Sequence, residues 1–307
     1  MTVADAKLVQ REILLRAMFP TMPVSAQIRF VELLEDVQYE AGATLFELGE
    51  APDRFWFLVE GRVAMECEGE RPWEFAPLAL VGIIDGILQR PRTRSCRALE
   101  PSRAMFLRMT DWFDMLEDNA QIARAAIRNF ATPLHARWRA LAQLLPQRSE
   151  PPPGILPSEL DTYAKILALR QAGFLAQAGM QAIVSLANVA ETITLRKGET
   201  LFEVSAHEEN LFIVARGLVE LTQGSDFRYC HDAGDLIGGA AALCRALPNY
   251  SARAASDAIV LRIAEQDFYD QAEEHARLTR GTLIYLVSQL EPLLRLEPVP
   301  LGITPRT

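Results

Sequence analysis

The chain contains one sequence pattern twice, and the two copies lie 156 residues apart. Residues 42–61 read GATLFELGEAPDRFWFLVEG, and residues 198–217 read GETLFEVSAHEENLFIVARG. The same offset continues without a gap to the Arg-Ala pairs at 97–98 and 253–254. An uninterrupted duplication of this length implies two copies of one folded unit.

The length and charge of the chain limit what it can do. A chain of 307 residues suits two domains, and an apolar content of 50% lets each copy bury a core. Its net charge of −9 argues against a nucleic-acid-binding protein, which needs a basic surface to replace counterions. We therefore expect no DNA partner.

The sequence predicts a cytoplasmic protein that does not span a membrane. The N-terminus, MTVADAKLVQREILL, has charges where a signal peptide needs an apolar run. The longest apolar run, residues 75–84, is too short to cross a bilayer. No CxxC pair occurs, so ordinary free thiols are expected at the four cysteines, which are Cys67, Cys96, Cys230 and Cys244.

The hydrophobic pattern predicts two strand-rich bodies with helices before and after each. The tight turns between short apolar segments favour a β-barrel or sandwich rather than a parallel sheet. Pro133 is expected to kink or split the helix of the connector. The predicted parts are an N-terminal helix (1–18), a first domain (19–117), a helical connector with a proline-rich linker (118–165), a second domain (166–275), and a C-terminal helix and tail (276–307).

The glycine-bounded strands resemble the cyclic-nucleotide-binding domain family. In that family one glycine precedes a T-L-F strand, a second ends the next long strand, and a third opens a phosphate-binding cassette. The matching glycines are Gly42, Gly61 and Gly82 in the first copy and Gly198, Gly217 and Gly238 in the second. The resemblance implies an α+β fold of two tandem β-roll (jelly-roll-like) barrels, each flanked by helices. The tandem layout is most similar to the regulatory subunit of protein kinase A.

The resemblance also implies how such a cassette holds its ligand. A glycine-opened helical turn points backbone N–H groups at the cyclic phosphate. An arginine adds a fork-shaped, charge-assisted hydrogen bond to the phosphate oxygens. A glutamate accepts a hydrogen bond from the ribose 2′-hydroxyl.

The first cassette, residues 82–98, keeps only part of this pattern. Arg92 stands at the family's arginine, Thr93 at the adjacent hydroxyl residue, and Ile83 where the glutamate belongs. Losing that charged hydrogen bond costs about 1.5–3 kcal/mol, so cyclic AMP or cyclic GMP should bind weakly unless Asp85 substitutes. The candidate ligand-binding residues are Gly82, Ile83, Asp85, Gly86, Arg92, Thr93 and Arg94.

The second cassette, residues 238–255, has lost both anchors. Gly239 replaces the glutamate, and Pro248 stands at the arginine position. We expect this copy not to bind a conventional cyclic nucleotide. Its equivalent positions, expected to be non-functional, are Gly238, Gly239, Pro248 and Ser251.

Four arginines make residues 90–97 the densest basic cluster of an acidic chain. On a strand, Arg92 and Arg94 would share one face and could hold two phosphates, as a cyclic dinucleotide such as cyclic di-GMP offers. A solvated, arginine-rich rim is the simpler interpretation of the cluster, and a docking surface for an acidic protein is another. These three interpretations remain open at the level of sequence.

The sequence gives no support for an enzyme. A cupin-type metal site needs clustered histidines on a barrel, and the four histidines do not cluster; they are His135, His207, His231 and His275. GxSxG, P-loop and HExxH motifs are also missing. We expect no metal and no cofactor, with a cyclic nucleotide or cyclic dinucleotide as the candidate ligand.

Two aromatic features have more than one structural interpretation. Trp138, with its apolar neighbours on the helix at 118–145, could form the seam of a homodimer or pack back on the first barrel. Trp56 lies between Phe55 and Phe57, so one side of that strand should reach solvent or a helix.

These observations predict a non-enzymatic regulatory or sensor protein that signals through protein partners. One alternative is a nucleotide-independent interaction scaffold built from degenerate domains. A second alternative is a cyclic di-GMP receptor.

Overall fold

A computed structural model describes residues 24–145 and 159–296. The predicted N-terminal helix, most of the proline-rich linker and the tail lie outside the described residues. The described residues form two compact units: those up to Ala126 together with those from Glu291 onward, and Ile127–Leu290. These divisions fall inside two helices, and the domain boundaries taken from the sequence stay predictions.

The first unit consists of two four-stranded antiparallel sheets and short helices. Its helices are α1 (Val24–Leu33), α2 (Ile83–Ile87), α3 (Met109–Asp118) and the start of α4 (Ala120–Ala136). Its strands are β1 (Glu35–Tyr39), β2 (Thr44–Phe46), β3 (Arg54–Glu60), β4 (Val63–Glu66), β5 (Trp73–Phe75), β6 (Leu80–Val81), β7 (Ser95–Ala98) and β8 (Ser102–Arg108).

The second unit repeats this arrangement. After α4 come α5 (Trp138–Leu144), α6 (Thr162–Gln171), a 3-10 turn (Gly173–Leu175) and α7 (Met180–Val189). The strands are β9 (Glu191–Leu195), β10 (Thr200–Phe202), β11 (Asn210–Arg216), β12 (Val219–Gln223), β13 (Phe227–His231), β14 (Leu236–Ile237), β15 (Ser251–Ala254) and β16 (Ala258–Ala264). The remaining helices are α8 (Gly239–Cys244), α9 (Glu265–Glu274) and α10 (Ala276–Leu296).

The two barrels have the same topology strand for strand. The sheets of the first are ordered β1-β8-β3-β6 and β2-β7-β4-β5, and those of the second β9-β16-β11-β14 and β10-β15-β12-β13. Even the irregularity is repeated: β3 shifts register between Leu58 and Glu60, and β11 shifts between Val214 and Arg216. The predicted α+β class with two tandem β-roll barrels is confirmed.

Strand β3 is buried on both faces, so neither Trp56 nor its two phenylalanine neighbours reaches solvent. Phe55 contacts Trp112 of α3 at 5.7 Å between ring centroids, and Phe57 contacts Phe30 of α1 at 5.6 Å, both edge-on. Trp56 points to the opposite face and is only 3% exposed. The side that reaches helices is therefore the Phe55 and Phe57 side, while Trp56 fills the barrel.

The helix of the connector is split, but not at its proline. Helix α4 continues through Pro133, and the break comes at Arg137, before α5 begins. In residues 24–145 and 159–296 no helix is both long and apolar enough to cross a membrane.

Candidate ligand-binding cassettes

The first cassette begins at a glycine that no other residue could easily replace. Gly82 has a φ of 78° and precedes the short buried helix α2. A Cβ at this position would also lie 2.8 Å from Arg92 Nη1. Gly86, in contrast, faces the side chain of Met109, which a Cβ there would overlap. Gly86 therefore serves close packing of α2.

The Asp85 carboxylate accepts hydrogen bonds from three donors within the cassette. The Thr93 backbone N–H lies 3.1 Å from Asp85 Oδ2, and the Thr93 hydroxyl lies 3.2 Å from both carboxylate oxygens. Arg90 adds a third donor, with Nε 2.9 Å from Oδ1. Asp85 is 2% exposed, so the protein's own anion is buried among these donors.

The Arg92 side chain turns into the barrel rather than toward a ligand site. Its Nη1 donates to the backbone oxygen of Gly82 and its Nη2 to that of Arg54. The guanidinium carbon lies 4.3 Å from the ring centroid of Phe46 and 5.6 Å from that of Trp56. Burial lowers the pKa of Arg92 from its ordinary value. This arginine links two backbone segments and stacks on two core rings.

Arg94 is also occupied within the protein. It pairs with Glu70 and stacks on Trp73, 4.2 Å from its ring centroid. Arg92 and Arg94 precede strand β7, so the expectation that they share a strand face is wrong. Both are buried, at 2% and 3% exposure, and neither belongs to a solvated rim.

Little empty space remains beside α2. The cavity there has a volume of about 20 Å³, enough for about one water molecule. Ile83 is 2% exposed and forms part of the wall. The wall also includes Trp73, Phe75, Asp85, Arg90, Glu291 and Leu294. A nucleotide could enter only if these side chains moved.

In the second cassette a tyrosine fills the place of the arginine. The Gly238 N–H donates to the Tyr250 hydroxyl at 3.1 Å, and the Tyr250 ring lies 5.9 Å from Phe202. Phe202 corresponds by the repeat offset to Phe46, the ring under Arg92. Burial raises the pKa of Tyr250 to about 12, outweighing the Gly238 hydrogen bond. A neutral phenol thus replaces a cation in the second barrel.

The backbone oxygen of Pro248 accepts the same hydrogen bond as that of Arg92, although proline has no guanidinium. The Ser205 N–H donates to the Pro248 oxygen at 2.8 Å, and in the first copy the Gly49 N–H donates to the Arg92 oxygen at 2.8 Å. The loop geometry therefore survives the loss of the guanidinium.

The other two predicted positions of the second copy have structural contacts. The Ser251 hydroxyl accepts the Val204 N–H at 2.9 Å and donates to Glu203 at 2.8 Å. A Cβ at Gly239 would overlap the side chain of Leu236. Both residues fix the fold around the cassette.

Trp138 packs on the second barrel. Its ring lies 4.4 Å from that of Tyr250 and 5.4 Å, edge-on, from that of Phe227. The expectation that it packs on the first barrel is wrong, and a homodimer through residues 118–145 stays a prediction. Helix α5 thereby brings an aromatic side chain over the filled second cassette.

Replacing this tryptophan should loosen the second unit. We expect Trp138→Ala to reduce stability by about 2 kcal/mol, below the cost for a fully buried tryptophan because Trp138 is partly exposed. This corresponds to a melting temperature lower by about 4–8 °C. Leu144→Ala, on the same helix at a side chain 44% exposed, is the control and should change little. Equal melting temperatures for the two variants in a thermal scan would contradict the packing.

Among residues 24–145 and 159–296, no group of three or more histidine, cysteine, aspartate or glutamate side chains is placed to hold a metal ion. All four cysteines are free. Burial raises the pKa of the Cys96 thiol to about 12.

The structure adds site residues that the sequence did not indicate. Arg90 Nη1 and Nη2 donate a bidentate pair of hydrogen bonds to the Glu291 carboxylate, at 3.0 and 2.6 Å. The two residues are 201 positions apart, so no local pattern relates them. Tyr250 was detectable in principle, because the repeat offset aligns it with Arg94.

Two barrels of identical topology, each with a glycine-opened cassette, define a tandem repeat of one domain type. The sequence profile of the cyclic nucleotide-binding domain matches residues 36–119 and 192–275, more than half of the chain. The chain belongs to the cyclic nucleotide-binding domain family.

The chain is similar to solved structures at low sequence identity. The chain is similar to cAMP-bound PfPKA-R (141–441), with 12% identity, coverage of 89% of this chain and 86% of that one, and a TM-score of 0.39. It is also similar to the regulatory domain of Toxoplasma gondii PKA with cAMP, with 14% identity, coverage of 94% and 98%, and a TM-score of 0.36. A third is the regulatory subunit of a cAMP-independent protein kinase A from Trypanosoma brucei, with 13% identity, coverage of 97% and 96%, and a TM-score of 0.37. No curated protein sequence matches the chain significantly.

Proposed function

We propose that this protein is a non-catalytic regulator that acts through protein partners. Its own side chains fill both cassettes, which are closed in the absence of cyclic AMP and cyclic GMP. The observation that carries the proposal is the buried carboxylate of Asp85, which holds both hydrogen-bond donors of Thr93. A cyclic phosphate entering there would meet a like charge and would have to displace it. Repulsion between two buried anions is strongly unfavourable at low local dielectric.

Two further features support closed cassettes. Ile83 offers no acceptor for a ribose hydroxyl, and its buried side chain leaves little room beside α2. In the second copy, Tyr250 and Trp138 fill the corresponding region with aromatic rings. Each cassette is thus filled by the protein's own side chains, by different residues in the two copies.

The test is thermal stability of the full chain with cyclic AMP, cyclic GMP and cyclic di-GMP. A ligand present at 100 times its dissociation constant adds about 2.7 kcal/mol, or about 5–11 °C in melting temperature. We expect no such shift for the wild type with any of the three. Asp85→Asn, which keeps the volume and removes the charge, is the matched variant, and it should tolerate a phosphate better. A shift of several degrees for the wild type would overturn the proposal.

A second candidate function is a scaffold that needs no small ligand. At the level of sequence, the retention of Arg92 and Thr93 favours a sensor. Arg92, however, bonds to the backbone oxygens of Gly82 and Arg54, and Thr93 bonds to Asp85. These contacts give both residues structural roles, so their retention is compatible with a scaffold.

The cyclic di-GMP interpretation depends on two arginines that are already engaged. Arg92 is bonded to backbone oxygens and Arg94 to Glu70. Binding two phosphates would require both side chains to leave these partners. The same thermal panel therefore tests this interpretation directly.

A further inference from the structure

The last residues of helix α10 lie in the first unit, against its cassette. Glu291 accepts hydrogen bonds from both terminal nitrogens of Arg90, at 3.0 and 2.6 Å. Arg90 uses its remaining nitrogen, Nε, for Asp85. One guanidinium thus joins a carboxylate of the cassette to a carboxylate of the C-terminal segment, defined here as residues 291–296.

This contact is well suited to recognise a carboxylate. A two-pronged arginine–carboxylate pair is directional as well as strong, because both hydrogen bonds require one orientation. The Glu291 side chain is only 14% exposed. Burial alone would raise the pKa of Glu291, but its bonds to Arg90, with a contribution from Arg295, hold that pKa below its ordinary value. Glu291 is therefore ionised in its place.

Apolar contacts accompany the ion pair. Leu293 and Leu294 are 2% and 4% exposed, and Leu294 forms part of the cavity wall together with Glu291. Residues three apart on a helix share a face, so Glu291 and Leu294 reach the cassette together. Glu291 therefore places an anion next to Arg90, and Leu294 places an apolar group at the cavity wall. An anionic ligand with an apolar body would present the same two features.

A second ionic contact fixes the edge of the segment. Arg295 lies 3.6 Å from Glu70, the residue that pairs with Arg94, and 3.3 Å from Glu291. These groups are more exposed, with 53% exposure for the Arg295 side chain, and they contribute less to the attachment.

We propose that the first cassette is a carboxylate-recognition site and that its resident ligand is the chain's own C-terminal segment, through Glu291 and Leu294. This inference rests on the proposed function and names the regulation of the same site. A ligand attached to the same chain has an effective concentration in the millimolar range, which keeps the cassette closed. Release of the segment would open the cassette and free the Arg90 guanidinium.

The experiment is hydrogen exchange of the full chain, followed at the amides of residues 83–90. Glu291→Ala should accelerate exchange there at least tenfold, and Glu291→Gln should do so less. Leu296→Ala, at a side chain that is 61% exposed on the same segment, is the matched control and should have little effect. Adding Arg90→Ala to Glu291→Ala should accelerate exchange by a smaller factor than Arg90→Ala does in the wild type, because the contact with Glu291 is then already lost and only the bond to Asp85 remains to be removed.

A peptide added in trans separates a ligand from ordinary packing. The peptide SQLEPLLRL, residues 288–296, should restore slow exchange in the Glu291→Ala chain at millimolar concentration. The same peptide with glutamine in place of glutamate should restore it at least tenfold less well. Unchanged exchange in Glu291→Ala, additive effects of the two substitutions, or equal rescue by both peptides would each overturn the inference. Binding of a nucleotide to the wild type would instead overturn the proposed function, so the two failures are distinguishable.

Discussion

Arg92→Ala is expected to reduce the stability of the chain by about 3 kcal/mol, with no nucleotide present. The substitution leaves the backbone oxygens of Gly82 and Arg54 without their donors, at about 1–3 kcal/mol for each buried group. It also removes the cation stacked on Phe46. For a unit of this size the melting temperature should fall by about 6–12 °C, measured in a thermal scan.

The control for this prediction is another arginine of the same cluster. Arg97 is 48% exposed and pairs with Glu47 at 3.2 Å, so Arg97→Ala should change stability by less than about 1 kcal/mol. Arg92→Lys should lie between the two, because one ammonium group cannot bond to two oxygens in the guanidinium geometry. If Arg92→Ala melted like the wild type, the buried side chain would not support the barrel.

Arg92→Ala is a poor variant for testing ligand binding. A loss of ligand response in Arg92→Ala would not by itself identify a phosphate anchor, because the substitution weakens the barrel for another reason. Asp85→Asn is the better variant, since it alters the charge at the donors of Thr93 and keeps the side-chain volume.

The sequence predicted the fold well because the fold depends on patterns that repeat. Gly82 and Gly238 both adopt left-handed φ values, of 78° and 73°, and both open a short buried helix. The backbone around Pro248 matches that around Arg92 although the residues differ. Position in the chain is therefore enough to place a residue in the cassette.

The direction of a side chain could not be predicted in this way. Arg92 stands at the family's position, yet its guanidinium bonds to backbone oxygens inside the barrel. Whether an arginine turns inward or outward depends on which other partners are available. Here Asp85 already occupies the donors of Thr93, and a single sequence does not show that pairing.

Long-range contacts were the other feature that sequence patterns could not supply. Glu291 bonds to Arg90, which lies 201 positions earlier in the chain. The ring of Trp138 packs on that of Tyr250, and the hydrophobic pattern of the helix does not indicate this neighbour. Both contacts involve helix ends whose apolar residues are equally consistent with several neighbours. Only the three-dimensional arrangement selects among them.

Gly217→Ala is expected to reduce stability by about 4 kcal/mol or more, the largest effect of any substitution considered. Gly217 has a φ of 82°, and a Cβ there would overlap the backbone oxygen of Asp257 and lie 2.7 Å from the Cα of Ala258. Backbone atoms cannot rotate away as a side chain can, so strands β11 and β16 would have to separate. Thermal unfolding and soluble yield both report the loss.

Gly198→Ala is the matched control, because it separates backbone strain from collision. Gly198 has a φ of 90° but no atom within 4 Å of the added Cβ, so only the left-handed strain of about 1–2 kcal/mol should remain. The duplication provides an independent repetition: Gly61, whose Cβ would lie 2.7 Å from the Cα of Ser102, should behave like Gly217, and Gly42 like Gly198. Equal losses for Gly217→Ala and Gly198→Ala would mean that strain alone explains these glycines. A large loss at Gly217 and Gly61 with a small one at Gly198 and Gly42 would show that each barrel needs the second glycine for the approach of two backbones.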